Sequence, residues 1–255
     1  MFDHYSRYQI QIKNGTQPIF VRYANTFEFI KYLCRRYDGG MEIEMKKVHI
    51  FDLDGTLIDS MTHFPKANLR VLAEEGITPP ENVVNIITPL GYRGAAEYFM
   101  TLGVKASAPE EIMARVESYL IGDYTYHIPL KPFVKEYVQK LKAEGCMLYV
   151  LTASPHSCTD PCLKRNEIYE LFDAVWSSDD FEYTKAQVEI YKAAAERIGC
   201  GVGDIMFYDD NVTALETAKR AGLSVTGVCD PASDDYKERI INVSDRYVNT
   251  FEELL

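Results

Sequence analysis

Two carboxylates one residue apart close an apolar run at Val48-His49-Ile50-Phe51-Asp52-Leu53-Asp54-Gly55-Thr56. Brought into a crevice, such a pair repels itself, and one pKa rises unless a cation offsets the charge. A hard divalent ion held by oxygens, such as Mg²⁺, is the economical offset. The run is short, rich in β-formers and ends in Gly-Thr turn chemistry. It therefore reads as a buried strand whose carboxyl end presents Asp52 where open α/β sheets bind ligands. Aspartate and glycine also build ordinary turns, so the string by itself does not define a site.

Three later segments carry related chemistry. Tyr149-Val150-Leu151-Thr152-Ala153-Ser154 is a second β-rich run ending in a hydroxyl, Lys185 precedes a helical stretch from Val188 to Ile198, and Ile205-Met206-Phe207-Tyr208-Asp209-Asp210 ends in paired carboxylates. In order and spacing these four motifs resemble the haloacid dehalogenase superfamily over most of residues 46 to 230. Asp59-Ser60 and Pro129-Leu130-Lys131-Pro132 resemble its branch with phosphoglycolate phosphatase and β-phosphoglucomutase. The chain departs from many relatives after the lysine, where Lys185-Ala186-Gln187-Val188 replaces a Lys-Pro-x-Pro-like sequence.

The resemblance implies roles. Asp52 matches the nucleophile that forms an aspartyl-phosphate, and Asp54 the general acid/base. Thr152 and the backbone N–H of Ala153 would hold the transferring phosphoryl oxygens, with Lys185 neutralising their charge. Mg²⁺ would be held by Asp52, the backbone carbonyl of Asp54 and Asp210, with Asp209 as ligand or support. Between the first two motifs, Leu90-Gly91-Tyr92-Arg93-Gly94 resembles a loop that faces the site, which makes Arg93 a candidate for an anionic leaving group. His63 is a candidate substrate contact from the hinge region. Lys66 and Lys105 raise imine chemistry, but neither sits in an evidently apolar pocket. His156, Cys158 and Cys162 lack the second ligand pair that zinc spacing requires.

These groups need elements to hold them. After residue 129 the pattern alternates: helix 132–144, strand 146–151, helix 157–166, short strand 174–176, helix 187–199, strand 205–208, helix 212–221 and strand 224–228. Such alternation predicts an α/β fold with a Rossmann-like parallel sheet covered by helices on both faces, the motifs gathered at one sheet edge. Residues 61–128 contain no convincing strand and show helical periodicity, and the resemblance implies that they form a helical cap inserted after the first core strand, with hinges near Asp59-Ser60 and His127-Pro129. Residues 45–60 and 129–255 would then form the catalytic core. Residues 1–44 read as a small N-terminal ββα module: Tyr8, Ile10 and Ile12 alternate with polar residues, Asn14-Gly15 is a hairpin turn, Ile19, Val21 and Tyr23 alternate again, and Asn25 with Glu28 marks a helix start. Gly39-Gly40 makes a linker.

Across 255 residues, 27 Lys and Arg stand against 38 Asp and Glu, a net charge of −11 that argues against nucleic-acid or membrane-surface partners. The first 44 residues carry six basic and five acidic side chains, so they are set apart in charge from the acidic remainder. That module is too small to bury much surface alone, so it should dock on the core or self-associate through a second copy. The start lacks a basic region followed by an apolar one, and the scattered cysteines suit reduced thiols, so the expected location is cytosolic. The reading is a Mg²⁺-dependent phosphatase of a small phosphorylated metabolite. The alternatives are a phosphomutase of the β-phosphoglucomutase type and a non-catalytic binding protein on the same fold.

Overall fold

The computed structural model describes residues 8–10, 19–21, 48–87 and 90–255. Strands β1 (Tyr8–Ile10) and β2 (Ile19–Val21) pair antiparallel, Tyr8 facing Val21 and Ile10 facing Ile19. That is the pairing an Asn14-Gly15 turn requires. The turn, the expected helix from Asn25 and the Gly39-Gly40 linker lie outside the described residues.

The core sheet has six parallel strands in the order β5-β4-β3-β6-β7-β8. They are β3 (Val48–Phe51), β4 (Met147–Thr152), β5 (Ala174–Ser177), β6 (Ile205–Asp209), β7 (Ser224–Val228) and β8 (Arg246–Val248). β3 lies at the centre and is buried on both faces from Val48 to Phe51, His49 included, whose Nδ1 meets Tyr208 Oη at 2.9 Å. Side chains alternate across it. Ile50 joins Leu151, Phe207 and Val225 in one core layer, while Phe51 joins Val150, Tyr208 and Phe251 in the other. Phe51 stacks on Tyr208 with ring centroids 4.4 Å apart.

Between β3 and β4 run α1 (His63–Glu74), α2 (Val83–Ile87), α3 (Gly91–Thr101), α4 (Pro109–Tyr126) and α5 (Val134–Ala143). The first four form an insertion whose buried apolar residues, including Val71, Leu72, Phe99, Ile112 and Val116, are continuous with the core layer of Phe51. The outgoing and returning chains run side by side: Asp59 N–H donates to the Pro129 carbonyl at 3.0 Å and Lys131 N–H to the Leu57 carbonyl at 3.0 Å. The remaining helices, α6 (His156–Arg165), α7 (Val188–Ile198), α8 (Val212–Ala221) and α9 (Lys237–Val243), follow successive strands.

The sequence periodicity did not anticipate α9 or the edge strand β8. Arg246-Tyr247-Val248 is three residues long, with Arg246 exposed, Tyr247 half-buried and Val248 buried, too short to show alternation. Among the described residues no helix is long and apolar enough to cross a membrane.

Candidate active site

The register of three central strands assembles the chemistry. Phe51 is level with Tyr208 on one side and Val150 on the other, so the chain delivers Asp52 beside Asp209, with Thr152 at the end of β4 close by. All three side chains are buried. Lys185 enters from the loop between β5 and α7, and its Nζ donates to Asp52 Oδ1 and, at 2.9 Å, to Asp209 Oδ2. The altered sequence after Lys185 does not displace it. Gln187 Oε1 accepts from Thr184 N–H at 2.9 Å, and Tyr191 Oη donates to the Lys185 carbonyl at 2.9 Å, which ties the loop at two points.

Asp210, also buried, accepts from Thr56 Oγ1 at 3.3 Å and Ser233 Oγ at 2.9 Å. Asp209 Oδ1 accepts from Asn211 N–H at 2.7 Å, and Asn211 in turn caps α8 through Thr213 N–H at 2.9 Å. The turn after Asp54 is shaped for this contact. Gly55 has φ +76°, and a Cβ there would lie 2.7 Å from Asp210 Oδ2. Lys131 Nζ holds the Gly55 carbonyl from below while pairing with Asp230 at 2.8 Å.

Electrostatics follow from burial. Desolvation pushes the Asp52 carboxyl up, Lys185 pulls it back, and Asp209, Asp210 and Asp54 add repulsion. Burial and then Asp209 push Asp210 up to about 7. Burial alone would lower the Lys185 ammonium, but Asp209 and Asp52 outweigh it and hold it above the ordinary lysine range. Oxygens of Asp52, Asp209 and Asp210 lie within 4.8 Å of one another, buried, and among the described lining residues Lys185 is their one cationic neighbour. Three crowded carboxylates with surplus negative charge fit a hard divalent cation.

Asp54 collects hydroxyls. Its Oδ1 accepts from Ser60 Oγ at 2.7 Å and from Tyr124 Oη; its Oδ2 accepts from Ser154 Oγ at 2.6 Å and Thr152 Oγ1 at 3.4 Å. Ser154 N–H also donates to Thr152 Oγ1 at 3.0 Å. Ser60, Ser154 and Tyr124 were not singled out from sequence. Tyr124 belongs to α4, which runs through Gly122 to Tyr126.

The site opens into a cavity of about 670 Å³ whose lining includes Asp52, Asp54, Thr152, Ala153, Lys185 and Asp210. The two insertion candidates are elsewhere. The Arg93 side chain is 61% exposed and paired with Glu97 and Glu110, so it does not line the cavity. His63 Nδ1 pairs with Asp123 at 3.1 Å and is not among the lining residues, although its neighbour Phe64 is. Lys66 and Lys105 are exposed. His156 is held between Asp160 at 3.0 Å and Asp180 at 2.9 Å, while Cys158 and Cys162 are buried on α6.

The profile of haloacid dehalogenase-like hydrolases matches residues 49–228. The chain belongs to that family. Hexitol phosphatase B of Escherichia coli O157:H7 is 26% identical over 204 residues, 76% of this chain and 89% of that protein. A phosphoglycolate phosphatase of Cereibacter sphaeroides is 27% identical over 179 residues, 68% of this chain and 81% of its own. A solved Thermotoga maritima structure, whose proposed identity is β-phosphoglucomutase, superposes with TM-score 0.72 at 24% identity, covering 83% of this chain and 100% of that one. The haloacid dehalogenase-like chain thus has the expected Rossmann-like fold, and these two sequence relatives are named as phosphatases.

Proposed function

We propose that this chain is a Mg²⁺-dependent phosphatase that hydrolyses a small phosphorylated metabolite through an aspartyl-phosphate on Asp52. The observation that carries the reading is the placement of Asp54: two residues beyond Asp52, on the cavity wall, with both its oxygens in hydroxyl contacts. Displacing carbon-bound halide needs no such acid/base, whereas transferring a phosphoryl group to and from a carboxylate does.

In the first half-reaction a carboxylate oxygen of Asp52 attacks phosphorus, the bond from phosphorus to the leaving oxygen breaks, and Asp54 delivers a proton to that oxygen. In the second, Asp54 takes a proton from water as the water oxygen attacks phosphorus and the Asp52 carboxylate departs. Lys185 Nζ, Thr152 Oγ1 and the Ala153 N–H would hold the phosphoryl oxygens. Mg²⁺ would be held by Asp52, Asp210, the backbone carbonyl of Asp54 and, directly or through support, Asp209; when bound it supplies positive charge against the phosphoryl oxygens. Arg93 and His63 have no part in this scheme. The insertion is read as a cap over the core site, hinged near Asp59-Ser60 and His127-Pro129.

A phosphomutase would use the same core groups, and the phosphatase names of the relatives favour hydrolysis. The test is phosphate release from a metabolite panel with Mg²⁺ and with a chelator. Release that requires Mg²⁺ supports the enzyme. A panel without turnover in either condition would favour a binding protein.

A further inference from the structure

Helix α4 measures the cavity. Met113, Glu117, Leu120 and Tyr124 recur at four-, three- and four-residue steps and all line it, so one face of this helix forms a wall. Tyr124 touches Asp54, which marks the phosphoryl end. Glu117, a lining residue that remains exposed to solvent, stands seven residues earlier, about 10 Å along the helix axis by its rise per residue. Met61 and Phe64 also line the cavity, and Phe64 meets Tyr124 edge-on.

Away from the phosphoryl end the described lining residues supply no cation. Among the described lining residues Lys185 is the one basic side chain, and Asp52 and Asp209 already engage it at the phosphoryl end. The nearby cations point elsewhere: Arg93 pairs with Glu97 and Glu110 on the surface, and Arg165 binds the backbone carbonyls of Tyr124 and Ile128. A second phosphate or a carboxylate on the leaving group would lose water against Met61, Phe64, Met113 and Leu120 and then meet the Glu117 carboxylate.

We infer that the leaving group is uncharged or cationic, with an apolar segment along α4, and that substrates bearing a second anion are rejected. This rests on the phosphatase reading and narrows it to one class of phosphomonoester. It also sets the site against the mutase alternative, in which the transferred group returns to a substrate already phosphorylated.

The test uses the full-length protein with Mg²⁺ and three matched substrates: n-hexyl phosphate, its analogue with a terminal amine and its analogue with a terminal carboxylate. 4-Nitrophenyl phosphate reports the core chemistry. kcat/KM for the carboxylate should lie below that for the hexyl ester by on the order of 10–100-fold, the equivalent of one missing charged hydrogen bond. The amine should be at least as good as the hexyl ester. Glu117→Lys should raise the ratio of carboxylate to amine. A carboxylate turned over as well as the hexyl ester overturns the inference, as does an unmoved ratio in Glu117→Lys. Turnover of 4-nitrophenyl phosphate with all three chains inert overturns it while sparing the phosphatase reading. No turnover of any of the four sinks both.

Discussion

Tyr124 Oη donates to Asp54 Oδ1, so a side chain of the inserted helix α4 completes the surroundings of the carboxylate assigned to proton transfer in the core. The ring is buried, and desolvation followed by the Asp54 charge drives the phenol well above its ordinary range. It therefore acts as a neutral donor. Contact between insertion and core then depends on the same group as the chemistry. Tyr124→Phe keeps the ring packing on Phe64 and removes one hydrogen bond to a charged acceptor. The expected result is a fall in kcat of about 10–100-fold with a smaller change in KM. A change confined to KM would make Tyr124 a wall of the cavity and nothing more.

Asp52→Asn should abolish turnover, a loss of roughly 10⁴-fold or more, because an amide does not supply the attacking oxygen. Folding should survive. The substitution relieves repulsion with Asp209 and Asp210, and Lys185 keeps its bond to Asp209. Far-ultraviolet circular dichroism and a Mg²⁺ titration of the variant separate the two effects. Wild-type-like turnover in a folded Asp52→Asn protein would remove the covalent step.

The four motifs were legible because each one ends a strand or flanks a helix, and parallel strands place their carboxyl ends together. Asp52, Thr152, Lys185 and Asp209 therefore meet without any further signal. The insertion was less legible. Arg93 looked like an anion grip because Leu90-Gly91-Tyr92-Arg93-Gly94 resembles a loop that faces the site, yet Glu97 lies at the i+4 position that suits a surface ion pair, and the structure shows that pair. Tyr124 was missed for the opposite reason. Its role depends on the angle at which α4 crosses the core, which sequence spacing does not encode. The spacing of Met113, Glu117, Leu120 and Tyr124 was readable as one face, but an apolar face usually marks a core.

His156 gives a stability prediction away from the chemistry. It is the first residue of α6, and its hydrogen bonds to Asp160 and then Asp180 raise its pKa above the ordinary histidine value. A raised folded-state pKa means stability present in full below the unfolded value and lost as pH rises through the folded one. His156→Gln should lower Tm at about pH 5.5 and leave it nearly unchanged at about pH 9, with the acidic-side loss under ~1 kcal/mol because the ring is half exposed. An equal loss at both pH values would show that shape rather than charge is at work.

Gly55→Ala tests whether the turn after Asp54 exists to let Asp210 in. The residue sits at φ +76°, and its Cβ would fall 2.7 Å from Asp210 Oδ2 and 2.8 Å from Cγ. The left-handed conformation costs a non-glycine residue about 1–2 kcal/mol, and relieving the contact requires Asp210 or the turn to shift. The turn is not free to move. Lys131 holds the Gly55 carbonyl, and the Gly55 N–H donates to the Ile58 carbonyl at 3.1 Å. Asp210 should give way, loosening its bonds from Thr56 and Ser233. The variant should therefore unfold at lower denaturant by ~1–3 kcal/mol and require more Mg²⁺ for half-maximal activity. Both are measured on one preparation, by urea unfolding and by metal titration of phosphate release. Lost stability with an unchanged Mg²⁺ midpoint would mean that the strain stays in the backbone and that Asp210 does not hold the metal.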